Sequence, residues 1–297
     1  MREEHAPAKV DLGGRGNPVK FGNYRVDRLS VGGDRFKILK GRTLHLEGRT
    51  IYYYRELLST NTTARLLAES GVPDGTVVVS DSQQAGRGRM NRQWVCPPGK
   101  GILMSMILRP MISPGSAFNL TLVVSAAVAE AITDITGCGA GIKWPNDVLV
   151  NGKKVCGILA ESKLLRNVCE YVIIGIGINV NQEKSELPAE CRETTTSLRI
   201  ELGQSVARLP VLRCLLRTWD RHYREFLRGG PNYAREKWLQ NSVTLGRRVT
   251  ITGAGGSTTG IAVDINEKGG LVVQLDNGDI QQFMAEDVSI GSSRFRV

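Results

Sequence analysis

Two short segments combine cationic, glycine and tryptophan residues in a way that suits a site for a polyanionic ligand. The Gly-Arg loop reads GRGRMNRQW at residues 86–94, and the KWPND segment occupies residues 143–147. Glycine lets a backbone approach an anion closely because no Cβ intervenes. Arginine offers a planar fork of donors that matches phosphate or carboxylate, and tryptophan can close over a ring. Together the segments predict a site that holds several negative charges beside a flat apolar ligand.

These segments, with four others in the same order and spacing, resemble the biotin protein ligase family, whose members attach biotin to a carboxylase lysine. The other four are STN at 59–61, QQA at 83–85, GILAE at 157–161 and GIGINVN at 175–181. The resemblance extends over roughly residues 48–290. The Gly-Arg repeat alone would be a weaker signal, since such repeats also occur in nucleic-acid-binding tails.

The resemblance implies a reaction in two steps. The carboxylate of biotin attacks the α-phosphate of ATP to give biotinoyl-AMP and pyrophosphate, and an acceptor lysine then attacks the adenylate. Lys143 is implied to contact the carboxyl oxygen and the α-phosphate and to stabilise the pentavalent transition state, while Arg87 bridges the same two groups. Fixed positive charge offsets the repulsion between the two anions. Lys143 and Arg87 are therefore the expected catalytic residues.

The resemblance also implies a set of residues around biotin. Hydroxyl and amide side chains at 59–61 and at Gln83 would supply the donors and acceptors that a buried ureido ring needs. A plain helix cap is the alternative role for residues 59–61. The expected biotin set is Ser59, Thr60, Asn61, Gln83, Gly86, Arg87, Gly88, Arg89, Lys143, Gly157 and Gly177.

A partly overlapping set is implied for ATP. Arg92 is expected at the β- and γ-phosphates, and Trp94 near the adenine or within the closed loop. Asp147 stays open between a ligand role and a loop-capping role, and Glu161 is given a structural one. The expected ATP set is Arg87, Arg89, Arg92, Trp94, Asn146 and Asn179. The sequence shows no dedicated metal cage, so Mg²⁺ is expected to arrive with the nucleotide.

The bulk composition is typical of a soluble globular protein, with 41% hydrophobic and 23% charged residues. The longest apolar stretch, residues 117–135, is interrupted by Asn119, Glu130 and Asp134, which favours a buried helix over a membrane span. Six scattered cysteines, with no CxxC pair and no secretory signal before them, predict free thiols in the cytoplasm. No membrane association is expected.

Half of the net charge of +10 lies in the first fifty residues, which contain 11 Lys and Arg against 6 Asp and Glu. Residues 1–45 are also rich in glycine and poor in periodicity, which predicts a basic flexible arm or the remnant of a wing. A complete winged helix-turn-helix needs about sixty residues with a recognition helix. We therefore expect no sequence-specific DNA binding.

The order of strands and helices predicts an α+β fold rather than a regular βαβ alternation. Residues 46–240 are expected to form the catalytic domain, with helices at 210–227 and 233–240 and a type I′ hairpin at Asn151 and Gly152. Short β runs broken by glycine turns at 241–297 predict a small barrel. The resemblance implies the same layout: a catalytic domain like that of class II aminoacyl-tRNA synthetases and a C-terminal SH3-like barrel.

The implied acceptor is the biotin carrier domain of acetyl-CoA carboxylase or of a related carboxylase, and a homodimer is compatible with the resemblance. Two other functions stay open. One is a lipoate-protein ligase on the same fold. The other is a nucleic-acid-binding, biotin-responsive regulator, in which the basic arm would bind with a steep dependence on salt.

Overall fold

The structure, a computed structural model, describes residues 26–29, 39–165, 168–253, 256–284 and 286–294. These residues form a large mixed sheet with helices on both faces, followed by a smaller antiparallel sheet. The α+β class predicted from the order of elements is confirmed.

The strands of the larger sheet are β1 (Val26–Leu29), β2 (Leu39–Leu46), β3 (Arg49–Leu57), β4 (Thr76–Gln83), β5 (Gly101–Leu108), β6 (Ala140–Lys143), β7 (Asp147–Val150), β8 (Lys153–Leu165) and β9 (Val168–Asn179). They pair in the order β1-β2-β3-β4-β5-β9-β8-β7-β6. Neighbouring strands are antiparallel except β3 and β4, which run parallel. The turn between β7 and β8 is the predicted hairpin, and Asn151 and Gly152 both have positive φ there.

Two strands of this sheet fall within residues 1–45, the segment for which a basic arm is expected. All of β1 and most of β2 belong to it, and β2 pairs with β3 in register Leu44 to Ile51. The rest of the segment lies outside the described residues.

The helices described are α1 (Thr60–Glu69), α2 (Ala117–Thr136), α3 (Leu198–Leu202) and α4 (Arg208–Asn241). Strand side chains alternate between the two faces of a sheet, and β9 serves both of them. Ile174 and Ile176 join the core formed with α2 and α4, whereas Ile173 packs with α1. The sheet is therefore covered by α1 on one face and by α2 and α4 on the other.

Helix α2 is the apolar segment predicted to be buried. Pro114–Thr136 is long and apolar enough to cross a membrane, but 72% of its most apolar window is buried inside the fold. Leu120, Val124 and Val128 are fully buried in the core. Packing within the domain therefore accounts for the composition of this helix.

Helix α4 joins the two helices predicted at 210–227 and 233–240. Gly230 breaks the helical backbone between them, with φ 59° and ψ −146°, and Pro231 follows. Proline suits the first turn of the second segment because an amide proton is not needed there. The prediction of two segments is thus confirmed, with slightly longer bounds.

The smaller sheet contains β10 (Arg247–Gly253), β11 (Gly256–Ile265), β12 (Leu271–Leu275), β13 (Ile280–Phe283) and β14 (Asp287–Arg294). They pair in antiparallel fashion in the order β13-β12-β11-β10-β14. Among the described strands β13 and β14 are the two edges and do not pair, so the sheet is open rather than the closed barrel expected. Short strands and glycine turns indicate such a sheet, but closure depends on the stagger and tilt of the strands.

The smaller sheet is anchored to the larger part of the fold beside the KWPND segment. Trp144 Nε1 donates to Gly269 O at 2.9 Å, and Asn119 Nδ2 donates to Glu267 O at 3.1 Å. Trp144 is 1% exposed. Its indole is therefore a core side chain, whereas the ligand role expected of Trp94 remains a prediction.

Candidate active site

The Gly-Arg loop lies between β4 and β5 and closes on itself. Trp94 N donates to Gly86 O at 2.9 Å, and Gly88 N donates to Arg92 O at 2.7 Å. A Cβ on Gly86 would lie 2.3 Å from Trp94 O, so the closure requires glycine at that position. Met90, at the tip, has a φ of 52°, in the left-handed region that residues with a Cβ rarely adopt.

The side chains expected at the ureido ring lie at the start of α1 and the end of β4. Ser59 occupies the N-cap position, but its side chain makes no capping bond. Gln83 Oε1 instead accepts from Thr60 N at 2.6 Å and from Thr60 Oγ1 at 3.0 Å. Gln83 therefore caps the helix, and the Ser59 hydroxyl and Gln83 Nε2 make no hydrogen bond to a described residue. Both groups remain available to a ligand.

Asn61 is held from the sheet below it. Ser105 Oγ lies 2.6 Å from Asn61 Oδ1 and 2.8 Å from Thr60 Oγ1. Gly175 makes room for the amide, because a Cβ there would lie 2.2 Å from Asn61 Oδ1. Asn61 is 4% exposed, so its orientation is set by these buried partners.

Two expected biotin-site glycines, Gly157 of β8 and Gly177 of β9, form a floor beneath Trp94. A Cβ on Gly177 would lie 2.4 Å from Trp94 Cε2, and one on Gly157 would lie 2.8 Å from Trp94 Cζ3. Lys154 Nζ lies 5.7 Å from the ring centroid of Trp94, within cation–π range. The indole, rather than open space, therefore covers the strand glycines.

Lys143 ends β6 and is half buried beside the floor. Burial lowers its pKa, nearby Lys154 and Arg92 lower it further, and Asp147 opposes the shift. The Asp147 carboxylate is already paired with Lys154, whose Nζ lies 2.6 Å from Asp147 Oδ1. Lys143 makes no hydrogen bond or ion pair with a described residue, so its charge is available to an anionic ligand.

Arg89 and Asn146 connect the Gly-Arg loop to the KWPND segment. Arg89 Nη1 donates to Asn146 Oδ1 at 3.1 Å, and Asn146 Nδ2 donates to Ile158 O at 2.6 Å. Burial lowers the pKa of Arg89. Asn146 therefore positions an arginine, in addition to the phosphate role expected of it.

The loop also reaches the smaller sheet. Arg92 forms an ion pair with Asp287 at the start of β14, and Arg89 Nη2 donates to Glu286 O at 3.3 Å. No pattern in the sequence predicts these contacts, because the C-terminal residues lie about 195 positions from the loop. The smaller sheet thus contributes groups to the edge of the candidate site.

Arg87 is paired within the catalytic domain. Its Nη2 lies 2.9 Å from Glu161 Oε1 on β8. The remaining expected ATP residue, Asn179, is 3% exposed, donates to Thr196 O at 3.0 Å and accepts from Gln182 Nε2 at 2.8 Å. These contacts fix the orientation of the amide, and the nucleotide contact expected of Asn179 remains a prediction.

The described residues contain no group of three or more His, Cys, Asp or Glu side chains that could hold a metal ion. The carboxylate nearest Lys143, that of Asp147, is neutralised by Lys154. Among the described residues there is thus no ready-made cage for a divalent cation, and the arrival of Mg²⁺ with the nucleotide remains a prediction.

Comparison with known proteins decides the family. Residues 53–179 match the model of the biotin/lipoate A/B protein ligase family, and residues 244–291 match the C-terminal domain of biotin protein ligases. The bifunctional ligase/repressor BirA of Bacillus subtilis is 36% identical over 273 residues, which span 92% of this chain and 84% of that protein. The chain belongs to the biotin protein ligase family. The ligase identity predicted from the motifs is thereby confirmed.

Other members of the biotin protein ligase family agree. The biotin–[acetyl-CoA-carboxylase] ligase of Mycobacterium tuberculosis is 33% identical over 224 residues, 73% of this chain and 80% of that protein. The structure of the biotin protein ligase of Aquifex aeolicus in complex with biotin and ATP superposes with a TM-score of 0.69. It is 32% identical, and the match covers 82% of this chain and 99% of that one.

Sequence analysis did not predict the contacts that several residues of this biotin protein ligase make at the candidate site. Ser105 offers a signal, since a serine in the apolar strand GILMSMIL must find a buried partner. Glu161 was assigned only a structural role, and Lys154 and Asp287 carry no local signal. Their positions depend on strand register and on domain docking.

Proposed function

We propose that this ligase adenylates biotin with ATP and transfers the biotinyl group to a lysine of an acceptor protein. One observation carries the proposal. Lys143 is half buried and forms no ion pair with a described residue, and the Gly-Arg loop is joined through Arg87 and Glu161 to Asn61, in the helix whose start carries Ser59 and Gln83. A site with these features suits a molecule that has an anionic end and a ureido ring.

In the first step, Lys143 and Arg87 bind the biotin carboxylate and the α-phosphate and draw them together. Their fixed charges stabilise the negative charge that develops on the transferring phosphoryl group, with little reorganisation. Arg92 binds the outgoing pyrophosphate. Trp94, seated on Gly157 and Gly177, excludes water from the apolar side of the adenylate.

In the second step, the ε-amine of the acceptor lysine attacks the acyl carbon of the adenylate, and AMP leaves. Positioning supplies much of the rate, because the acyl group is already activated. The acceptor is the biotin carrier domain of acetyl-CoA carboxylase or of a related carboxylase. The names of the M. tuberculosis and Paracoccus denitrificans relatives, both biotin–[acetyl-CoA-carboxylase] ligases, support this part of the proposal.

In this proposal Mg²⁺ arrives at the site bound to ATP. No catalytic step is assigned to a protein-bound metal. The cytoplasmic location and the homodimer remain predictions. The six cysteines, all free, suit a reducing compartment.

Mass spectrometry of a purified apo carrier domain tests the proposal. The carrier is incubated with the ligase, ATP, Mg²⁺ and either biotin or lipoate, and a reaction without ATP serves as the control. Addition of one biotinyl group that requires ATP supports the proposal. Modification of the carrier with lipoate but not with biotin would instead identify the protein as a lipoate-protein ligase of the same fold.

A second candidate function is sequence-specific DNA binding by a biotin-responsive regulator, since the B. subtilis relative is named a bifunctional ligase/repressor. We predict that this chain does not bind an operator. Gel shifts at physiological salt, with and without biotin and ATP, measure this. Sequence-selective nanomolar binding would overturn the prediction, whereas weak binding with a steep salt dependence would reflect net charge alone.

A further inference from the structure

The carboxylate of Glu161 lies between two groups that belong to different parts of the ligand site. Its Oε1 is 2.9 Å from Nη2 of Arg87 in the Gly-Arg loop. Its Oε2 accepts a hydrogen bond of 2.7 Å from Nδ2 of Asn61 on α1. One side chain of β8 thus joins the loop to the helix that carries the expected ureido contacts.

The contact with Asn61 orients a buried amide. Ser105 Oγ donates to Asn61 Oδ1 at 2.6 Å, and Glu161 accepts from Nδ2; because a carboxylate can only accept, a flipped amide would place its oxygen against Glu161 and lose that bond. Removing one partner of a buried hydrogen bond leaves the other group without it in a place that water does not reach, which destabilises that arrangement. Glu161 therefore contributes to the order of the ureido end of the site.

The contact with Arg87 orients the loop. Glu161 is about one-third exposed and Arg87 about one-half, so this ion pair adds little to global stability. Its effect is local, because it selects one position of the Arg87 side chain beside β8. The pair engages Nη2 of Arg87, and the other N–H groups of the guanidinium make no hydrogen bond to a described residue, so they can bind an anionic ligand while Glu161 holds the side chain.

We infer that Glu161 is a positioning residue that couples order at the ureido end of the site to closure of the Gly-Arg loop. This inference rests on the proposed function for the nature of the ligand. A ligand that fixes Asn61 also fixes Glu161. Glu161 in turn holds Arg87 in position to bind the carboxylate of that ligand. Glu161 itself touches neither the carboxylate nor the phosphate of the substrates.

Glu161→Gln separates the two contacts. The glutamine carbonyl can still accept from Asn61, but its NH₂ group cannot pair with Arg87. Glu170→Gln is the matched control, because Glu170 is also a partly exposed carboxylate of the same sheet and is paired with Lys163. Glu161→Ala removes both contacts and serves as the second variant.

The coupling is measured by amide hydrogen exchange of residues 86–94 in the ligand-free protein. This measurement does not depend on enzymatic activity. Glu161→Gln is expected to raise the exchange rate of the loop several-fold, with Glu170→Gln unchanged. In an Arg87→Gln background, Glu161→Gln should add nothing further, since the effect passes through Arg87. Loop exchange equal to wild type in Glu161→Gln, or additive effects in the double variant, would overturn the inference.

Steady-state kinetics provide the second readout. In biotin-dependent ATP–pyrophosphate exchange, Glu161→Gln should raise the KM for biotin about tenfold, with a smaller change in kcat. Glu161→Ala should raise that KM further, because Asn61 also loses its partner. Equal losses in kcat with an unchanged KM would overturn a positioning role. If wild type itself shows no biotin-dependent exchange, the proposed function fails, and the ligand-free measurement still decides the coupling.

Discussion

The indole of Trp94 rests on the backbone of Gly177, so closely that a Cβ on Gly177 would fall 2.4 Å from Trp94 Cε2. The loop that carries the arginines and the strand that forms the floor of the site are therefore in direct contact. The position of the loop depends on the absence of a side chain from the strand, and a substitution on β9 should disturb the arginines indirectly.

Gly177→Ala should displace the indole of Trp94 and lower kcat/KM for biotin about tenfold or more, since overpacking of this kind costs about 1–3 kcal/mol. Pyrophosphate exchange measures the loss. Gly139→Ala is the control, because a Cβ there meets nothing within 4 Å. Equal kcat/KM values for the two variants would contradict the contact between floor and loop.

Lys143→Ala should reduce adenylation about 100-fold or more while leaving the fold intact, as removal of a preorganised transition-state contact does. Single-turnover formation of the adenylate measures the rate. Lys184→Ala, which removes an exposed cation paired with Glu193, should have no effect. Turnover retained in Lys143→Ala would remove this lysine from the mechanism.

The pH dependence of adenylation should show the lowered pKa of Lys143. Burial favours the neutral amine, so the pKa of Lys143 lies below its ordinary value. Activity needs the protonated form, and it should therefore fall as pH rises through that lowered pKa. Lys143→Arg stays charged and should move the alkaline limit to higher pH, provided that it retains measurable activity. An unmoved limit would assign it to another group.

Asp287→Asn should raise the KM for ATP several-fold with little change in Tm. The ion pair with Arg92 is partly exposed and contributes about 0–1 kcal/mol to stability, but it fixes Arg92 at the edge of the site. Asp276→Asn, which breaks the exposed pair with Arg248 away from the loop, is the control. A lower KM for ATP would mean that Asp287 competes with the phosphates for Arg92 instead.

Acid should weaken the packing of α2 against α4. His222 is 2% exposed, its Nε2 lies 2.8 Å from Glu130 Oε2, and its Nδ1 lies 2.9 Å from the Tyr233 hydroxyl. The neutral ring satisfies both contacts, donating to Glu130 and accepting from Tyr233. Burial lowers the pKa of His222, the hydrogen bond and charge of Glu130 oppose the shift, and Arg221 and Lys237 add to it, so the net direction is downward.

The folded state thus binds fewer protons at His222 than the unfolded state does. The resulting stability is fully present above the ordinary histidine pKa of about 6.5 and is lost as pH falls towards the lowered value. Urea unfolding between neutral and mildly acidic pH measures this, and His222→Gln should flatten the dependence. The same slope in wild type and variant would assign it to other groups.

Local patterns in the sequence predict much of this fold. The apolar run of α2, the turn at Asn151 and Gly152, and the change to short strands after residue 241 each rest on local chemistry. The break in α4 follows from Gly230 and Pro231 in the same way. Closure of the smaller sheet was expected and is not found among the described strands, because it depends on how distant edges meet.

In the candidate site, too, the features that depend on local sequence are predictable and those that depend on contacts between distant elements are not. The Gly-Arg loop and the KWPND segment are visible in the sequence because their residue types serve the chemistry directly. Ser105, Glu161 and Asp287 act on those residues from other elements, and their relevance appears only when β5, β8 and β14 are placed beside the loop. Trp144 resembles a ligand contact in sequence, yet its neighbours make it a core side chain.

The most direct test of the central claim is pyrophosphate exchange into ATP by the purified protein, with biotin and with lipoate in parallel reactions that contain Mg²⁺. Biotin activation at Lys143 and Arg87 predicts exchange with biotin, none with lipoate, and loss of the signal in Lys143→Ala. Exchange with lipoate only, or with neither acid, would contradict it.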